Sequence, residues 1–247
     1  YSMATSTDVT IPLFINQAVN TESIDFKFNL FRLAKTNSYS TNFISSQSNK
    51  SLKYIKPYLQ ENFIDNYKTS SLKDDIYLID EVLKIDFTGM QKHFTILQMT
   101  GEHSPYIYYP KKFKIFTPKD DSLYQKVNTD YNNSVLYSKY ILSEILDNIL
   151  SQSSKNIVMF TSDHGELLGD NGKYGHNQFN SFCYKVPLEI YSNFKINLDK
   201  DTIFNHYTLS NFISSILGYK VVNHNKNIDK LSIINGSMIN GEDGFIE

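Results

Sequence analysis

The chain has 247 residues, 40% of them hydrophobic and 20% charged, with a formal net charge of −2. That composition supports a sizeable core and excludes a disordered chain, and the slight acidity gives no footing for nucleic acid. The single cysteine, Cys183, excludes an internal disulfide framework and a cysteine-based zinc site; no apolar run approaches the roughly 20 residues of a membrane helix, and the first residues do not form a signal peptide.

In residues 3–14, small hydroxyl residues run into an apolar segment, and Thr5, Ser6, Thr7 and Asp8 all suit a helix N-cap. Pro12 lies close to the start, where a helix tolerates it best. A hydroxyl there would face unpaired backbone N–H groups, which favour a phosphate or a developing alkoxide; an ordinary cap is the other reading. The spacing of Ile24, Phe28, Phe31 and Leu33 predicts an amphipathic helix over 23–35. Residues 41–45 read as a short strand followed by a polar loop, 46–50. Ile76, Ile79, Val82 and Leu83 predict a helix within 71–83. Residues 94–99 read as a buried strand that runs into Thr100-Gly101-Glu102-His103. Residues 110–118 are basic, aromatic and bounded by prolines, a surface excursion. Residues 122–150 carry the longest helical periodicity, as one long helix or two in sequence.

Residues 157–160 have the length and branching of another buried strand. It breaks into Thr161-Ser162-Asp163-His164-Gly165-Glu166, at the carboxyl end where open α/β sheets place ligands. On a strand, neighbours point to opposite faces; in a turn, Asp163 and His164 can converge on one ion. Both are good Zn²⁺ ligands, but two fall short of the three or four that a site needs. A turn capped by Asp163 beside a surface histidine is the plain alternative. His103, also just past a strand and a glycine, would reach the same sheet edge. Beyond this, 186–191 reads as a strand, Cys183 as a small buried hydrophobe, 206–217 as a helix ending at Gly218, and 235–247 as a peripheral, turn-rich tail. The alternation predicts an α/β fold with a mainly parallel central sheet flanked by helices, and no linker or repeat divides 1–247.

Several of these segments resemble, in order, the phosphoethanolamine transferases of the alkaline phosphatase superfamily, in their sulfatase-like domain. Thr5-Ser6-Thr7-Asp8-Val9-Thr10-Ile11-Pro12 is similar to the family's nucleophile segment G-T-S/A-T-A-x-S-x-P. Tyr39 to Ser48, Gln98 to Pro105, Phe113 to Pro118 and Tyr131 to Tyr137 resemble G-Y-x-T-x-W-I-S-N-Q-S, H-M-x-G-S-H-G-P, F-x-x-F-T-P and Y-D-N-S-I-L-Y. The most specific match is Thr161 to His176, which resembles T-S-D-H-G-E-S-L-G-E-N-G-x-Y-x-H-G.

The resemblance implies that Thr7 is the nucleophile and, with Asp163 and His164, a ligand of Zn²⁺. It places His103 and His176 across the substrate phosphate, binding it directly or through a second metal, and Gln47 and Ser48 in a loop touching the phosphoethanolamine group. It implies transfer from phosphatidylethanolamine, through a phosphoethanolamine-threonine intermediate, to a surface glycolipid or glycan such as lipid A or core oligosaccharide. A phosphoglycerol transferase or another phosphotransferase of the superfamily, and a non-catalytic domain keeping the fold, are the alternatives; a sulfatase is disfavoured because C/S-x-P-x-R is missing. The family has one more acidic ligand on a strand upstream of the nucleophile, and N-terminal membrane helices. Neither is in this sequence, so the expectation is a single sulfatase-like catalytic domain, 1–247, incomplete at its N-terminus and weak in metal binding. Its place would be the periplasmic face of a bacterial inner membrane. Asp8 and Glu102 stand where relatives have smaller neutral residues, Lys139 replaces an aspartate, and Met3 and Leu13 replace a cysteine pair.

Overall fold

A computed structural model describes residues 1–198, 202–220 and 233–236 and the backbone of 245–246. The helices are α1 (Thr7–Ile15), α2 (Leu30–Thr36), α3 (Lys56–Leu59), α4 (Ile76–Val82), α5 (Leu123–Leu150), α6 (Ser181–Tyr184) and α7 (His206–Ile216). The strands are β1 (Tyr39–Ser45), β2 (Asn66–Thr69), β3 (Lys92–Gln98), β4 (Ile157–Thr161), β5 (Leu167–Asp170), β6 (Lys173–Gly175), β7 (Leu188–Ser192), β8 (Ile233–Ile234) and β9 (Phe245–Ile246).

A parallel sheet, ordered β2-β1-β3, sets Phe43 opposite Tyr67 on one side and Ile96 on the other. Successive residues of β1 point to opposite faces, and both faces are covered. Phe43 joins Ile15, Phe31, Leu52, Ile55 and Leu59 on one; Ile44 joins Leu78, Val82, Tyr137, Ile141 and Ile145 on the other. Each such fully buried side chain contributes roughly 1.5–3 kcal/mol through removal from water. The expected α/β fold with helices on a parallel sheet is therefore present.

The second strand pair departs from the expected pattern. β7 runs antiparallel to β4, with Met159 opposite Ile190. The link between them is the β5–β6 hairpin and the short α6, not the crossover helix that a parallel return needs. Neither β3 nor β4 is the fully buried strand its apolar run predicts. Every residue of β4, and of β3 from His93 onward, is half-buried. Each has a single sheet neighbour among the described residues.

The helix expected over 23–35 is broken. Single-turn 3-10 helices at Thr21–Ser23 and Phe26–Phe28 precede α2, because the side chains of Asn20, Asp25 and Asn29 each cap a new start. α5 is one helix of 28 residues, and Thr129, Asn133, Tyr137, Ile141 and Ile145 form its buried stripe at four-residue spacing. The excursion at 110–118 is on the surface, as its composition predicts. Its backbone is nonetheless fixed: the fully buried Asn133 side chain accepts from the amides of Ile115 (2.9 Å) and Phe116 (2.8 Å) and donates to the Phe116 carbonyl (3.1 Å).

α7 ties the rest of the chain to the end of β4. His206, buried at its first turn, donates from Nε2 to the Ser162 carbonyl at 3.0 Å. Burial pushes its imidazole down to about 4. Between that value and the 6.5 of an unfolded histidine, only the unfolded chain binds the proton. Stability is therefore expected to fall as pH drops through this window, by about 3 kcal/mol at most. Urea midpoints at pH 7 and 4.5 test this: His206→Gln, which keeps a donor but does not titrate, should lose less than the parent. Equal losses would place the acid sensitivity elsewhere. Of the tail expected at 235–247, most lies outside the described residues; β9 pairs antiparallel with β8.

Candidate active site

β4 delivers its chain into the turn 162–166 at the edge where α1 begins. The turn is held tightly. Ser2 Oγ donates to the Asp163 carbonyl (2.5 Å), Ser162 Oγ to the His164 carbonyl (2.6 Å), and the Gly165 amide to the Cys183 carbonyl (2.9 Å). Only glycine fits at 165, since a Cβ there would lie 1.9 Å from the Phe182 carbonyl oxygen.

Thr7 opens α1, and its hydroxyl lies between the two side chains of that turn. Thr7 Oγ1 donates to Asp163 Oδ2 at 2.5 Å and is 3.2 Å from His164 Nε2; the latter two atoms are 3.8 Å apart. Ser6 and Thr5 do not cap the helix, because their hydroxyls donate to the Gly236 carbonyl and to Asn235 Oδ1. Pro12 falls in the helix interior rather than near its start. Burial pushes the Asp163 carboxyl up, but the His164 ring, the Thr7 hydroxyl and the His164 amide outweigh it and hold the carboxyl below the usual range.

These three side chains fit a zinc ion. A tetrahedral ion with bonds of 2.0–2.2 Å spaces its donors roughly 3.3 Å apart, so the Thr7–Asp163 contact would need to open and the Asp163–His164 separation of 3.8 Å to close slightly. His164 Nδ1 lies 3.0 Å from the Gly165 carbonyl. Donation there leaves Nε2 with its lone pair towards Thr7, the tautomer a metal requires. A second convergent group, His164, Glu166 and His176, overlaps this one. Both oxygens of Glu166 are already taken, Oε1 accepting from His176 Nδ1 (2.7 Å) and Oε2 from the Tyr106 hydroxyl (3.0 Å). Glu166 thus orients His176, which leaves the Thr7–Asp163–His164 set as the candidate to hold a metal.

His176 reaches the site because β5 and β6 form a hairpin. Its turn uses Asn171 (φ 52°) and Gly172 (φ 74°), the left-handed pair that a two-residue hairpin needs. The Glu166 carboxylate raises the His176 pKa against the effect of burial. Its ring centroid lies 4.3 Å from that of His164 and 6.4 Å from that of His103, which is exposed past the end of β3. An open cleft of about 200 Å³ is lined by Thr7, Asp8, Gln47, Lys73, His103 and His176, among others. Ser48 is not on that lining: its hydroxyl faces Ser51, which is. Glu102 is also absent from it, and burial pushes its carboxyl up.

Three important residues escaped the sequence reading. Glu166 lies within the Thr161 to His176 motif, where no local pattern assigns it a role. Asp75, just before α4 and 2% exposed, accepts from the amides of Thr100 (2.8 Å) and Gly101 (2.9 Å) and from Ser46 Oγ (2.5 Å). It thereby clamps the ends of β1 and β3, which carry Gln47 and His103; no local pattern announces such a long-range contact. Lys73 sits at φ 52° with its ammonium 5.0 Å from the Tyr108 ring centroid.

Glu166→Gln is expected to lower the His176 pKa, because the main cause of its rise is removed. Histidine chemical-shift titration reads this directly, and an unchanged midpoint would contradict the pairing. Loss of such a partner should also weaken the function of the site by about 10–100-fold.

A hydroxyl at a helix start, between a carboxylate and an imidazole and facing a histidine-walled cleft, is equipped to attack a phosphorus or similar centre. The family model described as Sulfatase matches residues 1–219, and the chain belongs to that family. It is 40% identical over 116 residues to phosphoethanolamine transferase EptA of Salmonella typhimurium, covering 39% of this chain and 20% of the relative. It is 30% identical over 128 residues to phosphatidylethanolamine transferase Mcr-2 of Escherichia coli, covering 45% and 24%. The chain thus spans about a fifth to a quarter of these relatives' length. In fold it is similar to the C-terminal periplasmic domain of EcEptC from Escherichia coli in complex with Zn. That match has a TM-score of 0.78 and 18% identity, and covers 100% of this chain and 79% of that one.

Proposed function

We propose that this chain transfers phosphoethanolamine from phosphatidylethanolamine to a surface glycolipid or glycan, through a covalent intermediate on Thr7. The observation that carries this reading is the Thr7 hydroxyl, held 2.5 Å from Asp163 Oδ2 and 3.2 Å from His164 Nε2 at the open cleft. Relatives named phosphoethanolamine transferase EptA support the choice of group, and one named phosphatidylethanolamine transferase Mcr-2 supports the choice of donor.

Thr7, Asp163 and His164 would hold zinc, as the fold relative crystallised with Zn suggests. Bound there, zinc would lower the pKa of the threonine hydroxyl and offset phosphate charge. The residues of the chain supply the rest. Thr7 Oγ1 passes its proton towards Asp163 and attacks the phosphorus, and the bond to the glycerol oxygen of the donor breaks, that oxygen taking up a proton as diacylglycerol leaves. His176, whose pKa the Glu166 carboxylate raises, faces the phosphate with His103, and the two rings offset the negative charge of the crowded phosphorus. In the second half, an acceptor hydroxyl or phosphate attacks the same phosphorus and Thr7 leaves. In this reading 1–247 is a single catalytic domain on the periplasmic face of an inner membrane; the similar EptC domain is periplasmic. No helix among the described residues is long and apolar enough to cross a membrane.

The test is the mass of the Thr7 peptide after zinc-loaded protein meets phosphatidylethanolamine. A phosphoethanolamine increment is expected. A phosphoglycerol increment from mixed lipids, or no adduct on Thr7, would overturn the reading.

A further inference from the structure

The cleft beside Thr7 carries both signs of charge. His103, His176 and Lys73 suit a phosphate, yet Asp8 lines the same space. Asp8 follows Thr7 in the first turn of α1 and is half-buried. The other acids around the site are engaged. Asp163 takes the Thr7 proton, Glu166 takes His176 and Tyr106, and Asp75 takes two amides and a hydroxyl. The Asp8 carboxylate has no hydrogen bond or salt bridge to any described residue. It belongs to no convergent metal-binding group among them either. Of the side chains in its field that favour its charged form, Lys53 is not on the cleft lining and its ammonium rests over the Tyr54 ring at 4.4 Å, while the His176 and His164 rings are turned to Glu166 and to the Gly165 carbonyl.

A half-buried, unpaired carboxylate beside a phosphate-binding nucleophile is unfavourable on its own terms. It loses hydration and repels the phosphate. Both penalties reverse if the ligand brings a cation with its phosphate. A phosphate ester with a primary ammonium two carbons away does this, and one ending in neutral hydroxyls does not. We propose that Asp8 is the ammonium subsite of the cleft, selecting phosphoethanolamine headgroups over uncharged ones. The proposal rests on the reading of Thr7 as nucleophile and adds the residue that sets donor choice.

Calorimetric titration of the zinc-loaded chain at pH 7 with O-phosphoethanolamine and with glycerol 3-phosphate tests it. The parent should prefer O-phosphoethanolamine. Asp8→Asn should weaken that ligand about tenfold or more, as expected for loss of a charge-assisted hydrogen bond, and leave glycerol phosphate unchanged or tighter. Asp8→Glu should restore the preference. Retained glycerol phosphate binding shows that the variant is folded. Equal changes for the two ligands, or none, would overturn the ammonium subsite alone. A parent that binds neither would overturn the phosphate cleft of the proposed function along with it.

Discussion

Thr7→Ala is expected to abolish group transfer, by roughly 10⁴-fold or more, as for other enzymes that lose their nucleophile. The change should leave the fold intact. The threonine hydroxyl is only part-buried, and its hydrogen bonds go to Asp163 and His164 within the site rather than to the core. Val9, Leu13 and Ala18 secure the α1 region against Met3 and Tyr207 without it. Thr7→Ser should retain part of the activity, since a hydroxyl at the same position meets the same carboxylate and imidazole. The loss from threonine to serine measures how far the β-methyl restricts the side chain to its working rotamer. Acceptor labelling by the alanine variant at the parent rate would remove Thr7 from the mechanism.

Asp163→Ala and His164→Ala are expected to abolish zinc binding and transfer together. Thr7, Asp163 and His164 provide three donors, so removal of either side chain leaves two, fewer than the three or four a zinc site needs. Because the metal-bound aspartate is ionised and the histidine neutral, uptake should also weaken as pH falls. Zinc content by elemental analysis after dialysis reads the first effect, and labelling of the acceptor reads the second. Zinc retained at the parent level in the aspartate variant alone would move the metal centre to the overlapping group of His164, Glu166 and His176; zinc retained in both variants would move it away from the turn altogether.

How much of this was legible differed by element. The turn at 162–166 and its neighbour at 99–105 were readable because an apolar run followed by glycine and a histidine is a local pattern. α5 was readable as helical because its apolar residues keep helical spacing, but the stripe it buries, Thr129 to Ile145, was not, since threonine, asparagine and serine carry part of it. β2 was not: Asn-Tyr-Lys-Thr has no apolar run, and it is a strand only because β1 offers it a ladder. The β5–β6 hairpin carries a local signal, Asn171-Gly172, the pair a two-residue turn favours. The helix expected over 23–35 failed because capping side chains outweighed hydrophobic spacing. In the site, Thr7, Asp163, His164, His103, His176 and Gln47 come together, while Ser48 turns to Ser51. Asp75 could not have been found locally, since its partners lie about thirty residues before and twenty-five after it in the chain.

The open sides of β3 and β4 bear on how the protein behaves in a tube. Each strand has one row of backbone N–H and C=O groups without a ladder partner among the described residues, flanked by half-exposed apolar side chains. Such rows invite strand addition, whether from a second molecule, a chaperone substrate groove or a peptide. The colloidal stability of the isolated chain is thus expected to be concentration-limited. Scattering intensity that rises faster than protein concentration would register it, and a β-strand peptide that suppresses the rise would identify these edges as the source.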